Sequence, residues 1–242
     1  ILKNFYHKLG SYPWFYKISG KVIPFVGFFS ISLIVISSIW GLFFSPTDAV
    51  QGDVYRIIYF HVPAVSVSQV IYYSMSVAAA VFLIWRMKMA GVYIKSLAPI
   101  GAAFTFIGLL SGAIWGQPTW GTWWVWDARL TSELILLFIY VGHIFISNAY
   151  NDRRKGDKNA AILTLIGVIN LPIIKWSVDW WNTLHQPASI SKFSSPSIDQ
   201  SMLVPLFLML ISFSLFFTTL LILRIKSEIM IRKIEIIEFN QN

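Results

Sequence analysis

Six apolar runs, each close to the ~20 residues a helix needs to cross about 30 Å of hydrocarbon, constrain this chain more than any other feature. They fall at about 22–44, 62–85, 93–115, 129–150, 160–180 and 203–223. In lipid each backbone polar group must be satisfied within its own segment, so runs of this length predict helices. The expected fold class is an all-α membrane protein, a six-transmembrane-helix bundle forming one integral membrane domain over residues 1–242. Composition agrees: 12% of the residues are charged and the mean hydropathy is +0.65, against about 25% charged in a soluble domain. The fifth run carries Asn170 and Pro172 and leads into Lys175 and Asp179, which predicts a kink.

Lysine and arginine set the expected orientation. Fifteen of the nineteen lie in the N-terminal segment, the 86–95 and 151–159 loops and the C-terminal tail. The positive-inside rule then puts both termini in the cytoplasm and the 45–61, 116–128 and 181–202 loops outside. The first 21 residues interleave lysines with aromatic rings, among them His7, and read as an interfacial segment that leads into a span without a small-residue cleavage site. The tail from Arg224 reads as an extension of the last helix with little functional signal. Gly101, Thr105, Gly108 and Gly112 in the third run, and the Ser74/Ala78 and Ser76/Ala80 pairs in the second, allow close helix approach and place both runs inside the bundle.

The net charge of +8 comes from short basic clusters between spans, not from a face that would hold nucleic acid. The absence of cysteine excludes disulfides, thiolate metal sites and covalent haem attachment. No G-x-x-x-x-G-K-[ST], H-E-x-x-H or G-x-S-x-G motif occurs, which argues against a self-contained enzyme.

One stretch is chemically unusual. Trp115, Trp120, Trp123, Trp124 and Trp126 fall within twelve residues, followed by Asp127-Ala-Arg129-Leu-Thr. With Gly116, Pro118 and Gly121 supplying turns, the stretch reads as a tryptophan-rich outer loop between helices 3 and 4. Eight of the eleven tryptophans lie between residues 115 and 181 on the expected outer side. A belt of membrane anchors would be symmetric, so the excess fits a shelf for a flat ligand, although Trp115 and Trp126 suit plain anchoring. His61 and His185 flank this stretch at similar expected depth, each with a proline within two residues. Two facing neutral imidazoles could take both axial positions of a haem iron, or each could be an interfacial residue satisfied by backbone. Asp127 suits the N-cap of the fourth helix. Arg129 opposes the macrodipole there and needs an anion, either Glu133 or a ligand carboxylate. Arg56, five residues before His61, is the second outer arginine. His143 shares a helical face with Arg129, Glu133 and Tyr140, and interhelical hydrogen bonding explains it better than a second metal site.

The run Trp-Gly-Thr-Trp-Trp-Val-Trp-Asp-Ala-Arg-Leu-Thr, residues 120–131, resembles the WWD signature of the haem-handling superfamily of cytochrome c biogenesis. Together with six spans and single histidines on either side, it resembles the CcmC family, over essentially the whole chain. The resemblance implies haem b as cargo, with His61 and His185 as axial ligands and the loop from Trp120 to Asp127 as the platform. It implies a site on the periplasmic side of the bacterial inner membrane and a presenting role with no catalysis; Arg129 and Arg56 are propionate candidates from the residue pattern itself, two outer arginines beside two histidines and a tryptophan shelf. It also implies partners: CcmA and CcmB, which are ABC-transporter-like, the small protein CcmD, and the chaperone CcmE. Haem would be loaded onto a histidine of CcmE, with CcmA hydrolysing ATP. A permease and a purely structural membrane subunit remain the rival classes.

Overall fold

The structure, a computed structural model, describes residues 11–181, 183–185 and 198–241. His7 and the proline two residues after His185 lie outside the described residues. Among those described, six helical spans are long and apolar enough to cross a membrane, and no strand occurs. The chain is therefore a multi-pass helical membrane protein.

Helix α1 (Tyr12–Ile39) begins with Pro13 in its first turn and continues into a π-turn at Trp40–Phe44. A 3₁₀ turn at Asp53–Ile57 leads into α2 (Ile58–Trp85), which ends at Arg86 in the left-handed region. The following helix, α3 (Lys88–Trp120), stops at Gly121, whose φ of 77° a side chain would resist. Helix α4 (Ala128–Asn148) follows, then α5 (Arg153–Gly167) and α6 (Asn170–Trp180), which together make the fifth span. The expected break is there, as a turn just before Asn170, with Pro172 accommodated in the first turn of α6. The last helix, α7 (Gln200–Gln241), is continuous through the C-terminal tail.

Helices α2 and α3 form the interior, each packed on the other. Within its most apolar stretch, α2 is 44% buried and α1, which lies against α7, only 11%. The glycine face of α3 explains the approach. A Cβ on Gly101 would sit 2.2 Å from the Tyr140 ring, and one on Gly108 would sit 2.8 Å from Val65. We expect Gly101→Ala to destabilise the bundle by about 1–3 kcal/mol, the usual cost of overpacking. Gly20→Ala, in open space on α1, should be neutral or slightly stabilising because alanine favours helix. Unfolding midpoints of the two variants in the same detergent check this, and equal midpoints would contradict the packing argument.

Polar side chains inside the bundle are mostly partnered. The Tyr140 hydroxyl donates to the Ser68 carbonyl at 2.7 Å, and Tyr72 donates to the Thr164 carbonyl at 3.1 Å. His143 Nδ1 lies 2.9 Å from Thr164 Oγ1, tying α4 to α5. It thus serves packing. The tail carries more than its sequence suggested. Arg232 bridges Asp157 at 2.8 Å and Glu228 at 2.7 Å, while Arg153 pairs with Glu228 and Glu235. These pairs clamp α7 to α5 at the end of the bundle where α2 terminates.

Candidate functional site

At the opposite end, where α2 and α4 begin and α3 ends, side chains enclose a cleft of about 720 Å³, counting its open mouth. His61 reaches it from the first turn of α2 and His185 from the segment after α6. The two imidazole centres are 6.4 Å apart with their planes inclined by 36°.

The local structure orients each ring. His61 Nδ1 lies 3.0 Å from the Gly108 carbonyl and 3.1 Å from Ser111 Oγ. A carbonyl can only accept, so Nδ1 carries the proton and Nε2 keeps its lone pair, the tautomer a metal-binding imidazole needs. Gly112 makes room, since a Cβ there would lie 3.0 Å from the His61 ring. Trp115 packs edge-on against the same ring at 5.7 Å and donates its indole N–H to Gln51 at 2.7 Å. It is a wall of the cleft, and the plain-anchor reading of Trp115 does not hold.

The tryptophan stretch is less of a loop than its glycines and proline suggested. Helix α3 runs through Trp120, so Trp115, Gly116 and Pro118 are helical and only residues 121–127 connect to α4. Proline near a helix end interrupts few backbone bonds, and the turn falls instead to Gly121. Gly116 serves packing, because a Cβ there would meet the Trp120 ring at 2.9 Å. Trp120 faces His185 with ring centres 6.1 Å apart. Trp124 also lines the cleft. Trp123 and Trp126 do not, and are 60% and 76% exposed. Trp180 packs against Trp176 and, edge-on, against Trp181, and all three are about half exposed.

Asp127 has two tasks. One carboxylate oxygen caps α4 by accepting from the Leu130 N–H at 2.7 Å. The other accepts from the Thr183 hydroxyl, and Thr183 Oγ1 in turn accepts the His185 N–H at 3.0 Å. The cap of α4 is thereby linked to the segment that presents His185. Nothing in the sequence pairs Thr183 with Asp127, 56 residues away.

Arg129 lines the cleft beside Glu133. Among the described residues its side chain forms no hydrogen bond and no ion pair within 4.0 Å. Glu133 is buried, with one oxygen 3.4 Å from Ser68 Oγ and the other, Oε2, without a partner. The buried Trp124 Nε1–H also lacks an acceptor. Unmet polar groups of this kind are costly in a dry site. A guanidinium and an indole N–H both short of an acceptor suit a ligand carboxylate. Arg56 is engaged elsewhere: it donates to Asp53 at 2.9 Å, to the Gly41 carbonyl at 3.1 Å and to Ser45, and it does not line the cleft.

Six spans enclosing, at one end, an aromatic cleft with two neighbouring imidazoles define a multi-pass helical membrane protein with a concave aromatic site. Residues 5–239 match the family described as "Heme exporter protein C". The Escherichia coli K12 protein of that name is 50% identical over 225 residues, covering 93% of this chain and 91% of its own. The Bradyrhizobium diazoefficiens protein is 44% identical over 94% of this chain and 86% of its own. A Marchantia polymorpha protein, named a putative cytochrome c biosynthesis ccmC-like mitochondrial protein, is 48% identical over 80% of this chain and 81% of its own. The chain belongs to the haem exporter protein C (CcmC) family.

Proposed function

We propose that this protein holds haem b as cargo in the cleft and presents it for c-type cytochrome biogenesis. His61 and His185 are the axial ligands in this reading. The observation that carries it is the spacing of the two imidazoles. A metal–imidazole nitrogen bond of about 2 Å plus roughly 1.1 Å from nitrogen to ring centre, taken on both sides of an iron, gives about 6.2 Å. The rings stand 6.4 Å apart. Trp120 and Trp124 supply the shelf, with Trp115 as its back wall, and Arg129 takes a propionate. The exposed Trp123 and Trp126 are placed to meet a partner or the membrane boundary.

The positive-inside count favours a periplasmic cleft in the bacterial inner membrane, with both termini cytoplasmic. Family membership supports a complex with CcmA, CcmB and CcmD and delivery to a CcmE chaperone, with ATP hydrolysis in CcmA. A cleft open at its mouth lets a chaperone histidine approach an edge of the bound haem.

The test is the visible spectrum of purified protein. The wild type should carry a Soret band, and the His61→Ala/His185→Ala double variant should not. Haem bound unchanged in the double variant would defeat the ligand assignment. A companion pair tests the anchoring of His185. Asp127→Ala removes both an N-cap, worth about 1 kcal/mol, and the hold on Thr183. Thr183→Val removes only the hold. Both should lower haem retention, and only Asp127→Ala should also lower the unfolding midpoint.

A further inference from the structure

We propose that the end of the bundle opposite the histidine cleft carries a binding site for an anionic phospholipid. A large, open cleft lies there between the start of α1, the end of α2, the start of α5 and the distal part of α7. Its walls combine two chemistries. Phe82 and Leu83, from the last turn of α2, and Ile229 and Met230, from α7, give the cleft an apolar wall. Around that face stand eight basic residues against three acidic ones.

The basic residues are not all used up by the protein. Arg153 and Arg232 are neutralised by Glu228, Glu235 and Asp157. Arg86, Lys88, Arg154, Lys158 and Lys233 form no ion pair among the described residues. Lys155 rests on the Tyr150 ring, 5.7 Å from its centre.

The start of α5 gives a separate reason to expect an anion. Its first turn is Arg153-Arg154-Lys155, with no acidic residue. Three cations at a helix N-terminus oppose the macrodipole and repel one another. The side chain of the cap, Asp152, accepts from the Arg154 N–H, and it forms no ion pair among the described residues. A phosphate placed at this turn would meet unpaired cations and the positive helix end together.

The joint requirement selects the ligand. A free phosphate leaves the Phe82, Leu83, Ile229 and Met230 wall uncovered, and a neutral lipid leaves the cations unmatched. An anionic diacyl phospholipid satisfies both, with its phosphate at the α5 turn and its chains along α2 and α7. Basic pockets between membrane helices are a recurring form of such sites.

Native mass spectrometry of the full chain in mild detergent tests the site. Phosphatidylglycerol and phosphatidylcholine are added in equal amounts, with and without excess glycerol 3-phosphate. The wild type should retain phosphatidylglycerol at least about fivefold over phosphatidylcholine, and glycerol 3-phosphate should not displace it. The K88Q/R154Q/K158Q variant should lose that preference while eluting as the wild type does in size exclusion. R154Q alone should reduce it, which keeps the test open if the triple variant misfolds. Equal retention of both lipids, an unchanged preference in both variants, or displacement by glycerol 3-phosphate would each overturn the proposal. So would displacement of the lipid by an acidic peptide at equal concentration, which would make the cleft a protein-docking surface.

Discussion

His61→Ala alone should abolish the Soret band of the purified protein, and millimolar imidazole should restore it. The argument starts from what holds the ring. Its Nδ1 proton is committed to the Gly108 carbonyl and Ser111, so the ring is fixed before any ligand arrives. A pre-oriented lone pair loses little freedom on binding a metal. Removing an outer partner of a metal-bound histidine costs about 10–100-fold in affinity, so Ser111→Ala should weaken haem retention by about tenfold. Removing the ligand itself should exceed that range. Free imidazole can enter the space left between Gly112 and Trp115 and supply the missing nitrogen. His185→Ala should behave in the same way if the site is symmetric about the metal. A Soret band that survives His61→Ala at wild-type intensity and position would show that His61 is not a ligand. A band lost from the variant and not recovered with imidazole, in protein that remains folded, would point to a structural role for the ring.

Arg129→Ala should weaken haem retention by about 10–100-fold, and Glu133→Ala by much less. Hydrogen bonds to charged groups contribute roughly 1.5–3 kcal/mol, and about 1.4 kcal/mol is a factor of ten. Arg129 and Glu133 are four residues apart on α4, where an ion pair would be easy to form. No contact within 4.0 Å joins them. Arg129 instead lines the cleft, as does Trp124, whose Nε1–H has no acceptor among the described residues. Titrating haem into detergent-solubilised wild type and the two variants gives the order. The reverse order would mean that Arg129 serves Glu133 and the helix, and the propionate role would pass to another residue.

The architecture was legible because hydrocarbon leaves a chain few options. Six long apolar runs had to become helices, and the break at Asn170 and Pro172 followed from local chemistry. Glycines spaced along one face of α3 announced close packing, and the structure puts Tyr140, Val65 and His61 against them. The boundaries were less legible. Helices extend past their apolar cores where water can still solvate polar side chains, so α3 absorbs Trp115 through Trp120 and α7 absorbs the whole basic tail. Composition identifies the part of a helix that lipid requires, and it is silent on how far hydrogen bonding carries the helix beyond it.

The residues of the cleft divide in the same way. His61, His185 and the tryptophans stood out because their types are rare and chemically specific. The sequence could not rank them, since exposure depends on which way each side chain leaves the chain end. Trp124 turns into the cleft and Trp126, two residues on, is among the most exposed aromatics in the protein. Arg56 and Arg129 looked equivalent as outer cations, but Asp53, Gly41 and Ser45 hold the first and, among the described residues, no side chain forms an ion pair with the second. By itself the sequence determined a six-span helical membrane protein, the family it belongs to, and a short set of candidate side chains, most of which the structure gathers at one cleft. Only the tertiary structure decided that two imidazoles 124 residues apart stand 6.4 Å from each other. It also decided which tryptophans wall the space between them and that Thr183 links the cap of α4 to His185. Hydropathy is a local property that one segment expresses alone, whereas these contacts arise only after α2, α3, α4 and α6 have packed together.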